Sequence, residues 1–234
     1  MREDPFSTDE RIKILPGDRI KMIIVGICGG TSSGKSTLAK RIKAGLRARC
    51  VILNQDCYYF DQAGKPMEER AKVNYDSPEI FDHDLLFEDV SRLREGQPIT
   101  TKGYDFPHHC RADSDALIEP PDVLIIEGIH AFYDERLLEL MDIKVYMRVD
   151  TDICLLRRID RDMKKRGRSL ESIANQYRET VKPMYDKYIS KYIDRADFAV
   201  MRGGKNLMAE EAITAYIEKK LSQLAEGEPK RTDE

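Results

Sequence analysis

The chain has 234 residues, 41% of them hydrophobic and 35% charged, enough for one large core or two small ones under a heavily charged surface. Its net charge of -3 argues against a general nucleic-acid binder, which carries a basic excess, and leaves room for a local basic patch. The longest apolar runs, such as Met22–Cys28, are too short to span a membrane, and Met1–Arg11 lacks the apolar core of a secretory signal.

In chain order, residues 1–20 are polar, carry Pro5, Pro16 and Gly17, and read as an N-terminal extension. Residues 21–225 read as one domain and 226–234 as a flexible tail. Within the domain, apolar runs at 22–28, 50–54, 122–127, 143–149 and 197–201 predict buried parallel strands. Helical patterns at 35–48, 82–95, 152–166, 169–191 and 206–224 alternate with them. The alternation predicts an α/β fold, a three-layer α/β/α sandwich on a mostly parallel five-stranded sheet. Residues 98–118 break the rhythm with turn formers and predict an inserted β-hairpin. Five scattered cysteines (28, 50, 57, 110, 154) without C-x-x-C spacing fit free thiols in a reducing cytoplasm.

Gly29, Gly30, Thr31, Ser32, Ser33, Gly34, Lys35 and Ser36, followed by Thr37, match G-x-x-x-x-G-K-[ST] between a strand and a helix. The glycines let backbone N–H groups curl inward onto phosphate oxygens, and the helix start adds its positive dipole end. Lys35 supplies a charge for the β- and γ-phosphates, and the Ser36 hydroxyl can ligate Mg²⁺. Neither an N-K-x-D guanine reader nor an L-S-G-G-Q signature is present, which argues against a GTPase switch or a transporter ATPase. Two acids follow strands, where ligands of such sheets sit. Asp56 is assigned as general base for an acceptor hydroxyl, near the metal, and Glu127 to the metal shell. Without the phosphate loop, either would read as a capping acid.

Leu155–Ser169 gathers positive charge. Arg158, Arg161, Lys165 and Arg168 recur at helical spacing, and Gly167 interrupts the helix. The pattern predicts a hinged, arginine-rich lid at 161–170 over a transferring phosphoryl group. Arg157 and Lys164 are expected to be solvated, with Asp160 and Asp162 interleaved as ion-pair partners.

These motifs, with "DCYY", "NYDSPEIFD", "YDFPHHCR", "IIEGIHAF", "NQY" and "RGGKN", resemble the uridine/cytidine kinases, P-loop nucleoside kinases of the phosphoribulokinase/uridine kinase group. The resemblance covers about Ile23 to Leu224. It implies transfer of phosphate from ATP or GTP, with Mg²⁺, to the 5′-hydroxyl of uridine and cytidine in pyrimidine salvage, by a cytoplasmic homotetramer. It implies Asp56 as the base, Tyr59 lining the nucleoside pocket and Asp76 on the ribose hydroxyls. Tyr104 and His109 would bond the pyrimidine edge, and Phe106 would pack on the base. Arg158 and Gln176 would add nucleoside contacts, while Arg161, Arg166 and Arg168 would cover the phosphates. The rivals are a related metabolite kinase, such as phosphoribulokinase, and a nucleotide-binding regulator without transfer activity. The adjacent His108 and His109 beside Cys110 lack further ligands at zinc spacing, and strand alternation predicts that the two do not do the same job, with Pro107 marking a turn that breaks strict parity. The resemblance implies that His109 is the one that faces the nucleoside, and His108 reads as a surface or interface residue.

Overall fold

A computed structural model describes residues 22–70 and 72–226; the proposed extension (1–20) and all but the first residue of the proposed tail lie outside them. Short apolar runs buried on both faces need helices above and below, and the chain supplies them. The strands are β1 (Ile23–Gly29), β2 (Cys50–Asn54), β3 (Ile99–Thr101), β4 (Tyr104–Asp105), β5 (Cys110–Arg111), β6 (Ser114–Ile118), β7 (Val123–Gly128), β8 (Ile143–Arg148) and β9 (Phe198–Met201). The helices are α1 (Lys35–Gly45), α2 (Met67–Arg70), α3 (His83–Arg94), α4 (Glu135–Leu140), α5 (Thr151–Arg166), α6 (Leu170–Gln176), α7 (Lys182–Lys187) and α8 (Leu207–Glu226).

The central sheet is five-stranded and parallel, in the order β2-β7-β1-β8-β9. Strand alternation sends side chains to opposite faces. Ile23, Val25 and Ile27 of β1 join Ile125, Val145 and residues of α1 and α8 in one core cluster. Ile24 and Cys28 join Leu124, Tyr146 and residues of α3 and α4 in the other. The result is the expected three-layer α/β/α sandwich.

The irregular stretch before β7 forms two small antiparallel ladders, β3 with β6 and β4 with β5, the inserted hairpin. All five cysteines are unpaired. No helix among the described residues is long and apolar enough to cross a membrane.

One helix differs from expectation. The stretch 169–191 is not continuous: α6 ends at Gln176, a π turn covers Tyr177–Val181, and 3-10 turns over Ile189–Arg195 follow α7. Pro183 has no N–H for the carbonyl of Glu179, four residues back, and its ring crowds that carbonyl, so the preceding turn widens. The widened turn carries Thr180, whose hydroxyl reaches Asp76.

Candidate active site

The site lies beyond the C-terminal end of β1, between β7 and β8, where ligands of open α/β sheets collect. Ser32 takes φ 57° and Gly34 φ 101°, left-handed values that curl the loop between β1 and α1. Gly34 is required twice: its φ is unfavourable for a side chain, and an added Cβ would lie 2.5 Å from the Gly204 nitrogen. That contact presses the loop against the "RGGKN" segment. The buried Lys35 donates to the carbonyls of Gly29 at 3.0 Å and Gly30 at 2.9 Å, which hold its ammonium at the mouth of the cradle. Ser36 Oγ donates to Glu127 Oε1 at 2.6 Å.

Thr31, Ser32, Gly34, Lys35, Ser36 and Thr37 form one wall of a cleft of about 400 Å³. Asp56, Glu127, Arg157, Arg161 and Lys165 line the rest. The donors Ser36, Glu127 and Asp56 are hard oxygens beside the phosphate cradle, and such a set fits Mg²⁺, which binds through one or two carboxylates plus waters and phosphates.

The three acids sit in distinct settings. Burial raises Asp56 above the ordinary carboxylate value, opposed by Lys35, Arg166 and a bond from Tyr59. Burial also raises Glu127, opposed by Lys35 and the Ser36 hydrogen bond. Asp76 is raised by burial too, opposed by Arg158 and by Thr180, whose hydroxyl donates to it at 2.9 Å. Asp56 stands between the two halves of the site. It shares the cleft with Lys35 and accepts from the Tyr59 hydroxyl at 3.3 Å.

The basic helix divides by face. Arg157, Arg161 and Lys165, four residues apart, look into the cleft. Arg157 is exposed, as expected from sequence, and it also borders the cleft, with its guanidinium against Gly203. Lys164 is solvated, paired with Asp160 at 2.5 Å on the surface. Arg158 turns aside, donating to Thr31 at 3.0 Å and Gln176 at 2.8 Å, and Arg168 donates to the same Gln176 oxygen at 2.5 Å. Arg158 thus ties Gln176, and through it Arg168, to the phosphate loop. Asp162, with 0% side-chain exposure, lies within 4 Å of the guanidinium groups of Arg158, Arg161, Arg166 and Arg168. Burial works against its charge, but the Arg161 hydrogen bond and the surrounding arginines hold its carboxyl below the usual range. Gly167, at φ 62°, ends α5 and turns the chain into α6.

The acceptor side is aromatic. Tyr59 stacks on Phe81 with centroids 4.4 Å apart and lies 4.9 Å from Tyr104. Tyr104 meets Phe106 edge-on, and Arg166 sits 5.1 Å above the Phe106 ring, so the end of α5 touches the hairpin. The two histidines part. His108 is exposed and bonds Asp105 at 2.8 Å, whereas His109 stacks on Tyr75 with centroids 4.7 Å apart. His109 takes φ 51° in the turn between β4 and β5, so backbone handedness, not strand alternation, turns it inward. Burial, then Arg168 and Arg166, push its pKa down and keep the imidazole neutral.

Sequence reasoning passed over Tyr75, Thr180 and the hub role of Asp162. Tyr75 adjoins Asp76 in a quoted motif, so a signal existed. Thr180 gave none, because its contact spans 104 residues.

The fold and this cleft define a P-loop phosphotransferase. The chain belongs to the phosphoribulokinase/uridine kinase family, whose profile matches residues 24–209. It is 44% identical over 205 residues to a uridine kinase of Lactobacillus helveticus, covering 87% of this chain and 97% of that one. It is 43% identical over 206 residues to a uridine kinase of Anoxybacillus flavithermus, covering 88% and 98%. Phosphoribulokinase from Rhodobacter spheroides shares the fold with a TM-score of 0.57 at 16% identity, over 77% of this chain and 70% of that one.

Proposed function

We propose that the chain transfers the terminal phosphoryl group of ATP, or GTP, to the 5′-hydroxyl of uridine and cytidine, yielding UMP and CMP in the cytoplasm. The observation that carries the reading is the place of Asp56, sharing a cleft with Lys35 and hydrogen-bonded to Tyr59 of the aromatic pocket. The hydroxyl oxygen forms the new bond to phosphorus, the bond to the β-phosphate oxygen breaks, and Asp56 takes the hydroxyl proton. Its raised pKa makes it a better proton acceptor than an exposed carboxylate, while leaving it dependent on Lys35, Arg166 and Arg161 for its charge.

Lys35 and the loop N–H groups hold the β- and γ-phosphates, and Arg161 and Arg166 offset charge that builds on the transferred group. Bound Mg²⁺ would neutralise phosphate charge, held by Ser36 and Glu127 with Asp56 close by. Asp76 accepts from the ribose diol, and a neutral His109 with Tyr104 bonds the pyrimidine edge. Phe106 covers the base, and Gln176 with Arg158 and Arg168 closes the sugar side. Residues 21–225 act as one kinase domain, and the resemblance to the nucleoside kinases supports a homotetramer that binds neither nucleic acid nor membrane.

A phosphorylated sugar would need cations on the acceptor side. There Arg111 is paired with Asp113 at 2.6 Å, and Arg70 is spent on the carbonyls of Ala63, Lys65 and His108. The test is a panel of nucleosides and ribulose 5-phosphate with labelled ATP. Labelled UMP and CMP are expected; product from the sugar phosphate alone would overturn the proposal.

A further inference from the structure

His130, two residues after β7, is completely buried. Its backbone N–H donates to Gln55 Oε1 at 2.9 Å, its Nε2 lies 2.8 Å from the Asp76 carbonyl oxygen, and its Nδ1 lies 2.9 Å from the Tyr192 hydroxyl. A carbonyl only accepts, so Nε2 carries the proton. Burial pushes the ring pKa down to about 4, so at neutral pH there is only one ring proton. Nδ1 is therefore bare and accepts from Tyr192.

Those bonds join two loops that carry chemistry. Gln55 is wholly buried and immediately precedes Asp56, and its side chain packs where a Cβ on Gly128 would stand. Asp76 is held at its side chain by Thr180 and at its backbone by His130. We propose that His130 is a positioning residue that sets the spacing between Asp56 and Asp76, the proton acceptor and the sugar-binding carboxylate. This rests on the roles proposed above for those two acids. An apolar side chain of similar size would fill the space yet leave the Asp76 carbonyl and the Tyr192 hydroxyl without this partner, freeing the Asp76 loop.

The test uses the full chain with His130→Leu and His130→Gln, since a glutamine amide nitrogen can stand where Nε2 stands. His130→Leu should raise the KM for uridine about tenfold with the KM for ATP within about twofold, and His130→Gln should recover most of the loss. Equal rises in both KM values, or a glutamine variant no better than leucine, would overturn the proposal. If the leucine variant does not fold, His130→Asn replaces it, because its shorter amide cannot reach the Asp76 carbonyl. A second arm is independent of turnover: ¹⁵N NMR of the histidine-labelled chain at neutral pH should show the Nε2–H tautomer at His130. In the same variants, amide shifts at both Asp56 and Asp76 should move. The Nδ1–H tautomer, or an unmoved Asp76, would sink the inference. Absence of any nucleoside phosphorylation by the unaltered chain would instead defeat the proposed function and leave this second arm to decide.

Discussion

The two halves of the site are built by opposite means. The donor side is made of backbone and of one contiguous stretch, Gly29 to Thr37, capped by charges from α5. The acceptor side is made of side chains from separated segments: Asp56 and Tyr59, Tyr75 and Asp76, Tyr104 to His109, and Thr180. A phosphate is the same in every nucleotide, so one local loop suffices to hold it. An acceptor must be distinguished by ring and hydroxyl pattern, which takes groups converging from several directions. Asp56 is where the two sides meet.

Substitutions can break this contrast at several strengths. Asp56→Asn keeps size but removes the proposed proton acceptor, and turnover should fall by about 10²–10⁴ while ATP affinity is retained. Steady-state rates with ATP titration calorimetry check this; turnover near that of the unaltered chain would refute the assignment. The raised pKa of Asp56 adds a pH signature. Because the proposed base would have to be ionised, kcat should decline on acidification at a pH above the ordinary value of 3.8 for aspartate. A kcat profile that stays flat down to that value would count against the base.

Asp162→Ala tests the lid. It leaves four guanidinium groups without their buried counter-charge, so stability should drop by about 3 kcal/mol with a loss of turnover. Denaturant melts and rates in parallel measure it, and an unchanged melt would remove Asp162 as the hub. His109→Ala tests the acceptor side alone: the KM for uridine should rise about tenfold and that for ATP should hold. Comparable rises in both would make His109 structural. The mildest case is Lys164→Ala, whose ion pair with Asp160 is 73% and 63% exposed, and kinetics should stay within about twofold. A larger effect would mean the solvated face of α5 also serves the site.

Much of this was legible in the sequence because local rules govern it. The five strands follow from short apolar runs, and the phosphate loop from glycines at fixed spacing ahead of a helix. Hairpin residues 98–118 stood out by their turn formers. The break within 169–191 was also written in Pro183, yet the apolar pattern on either side masked it. Helical spacing places a basic face on α5 but does not show that the exposed Arg157 also borders the cleft. Strand alternation separates His108 from His109 but does not choose between them; a left-handed turn is what points His109 at Tyr75.

By itself, the sequence determined the layer architecture and the phosphate loop, because hydrophobic period and glycine spacing act within a few residues. Only the tertiary structure decided which groups converge on Asp56 and Asp76. Thr180, His130 and Tyr192 reach Asp76 or its support across 104, 54 and 62 positions of chain. Hydrogen bonds at such separations depend on where the sheet and its helices pack, and no local pattern encodes that.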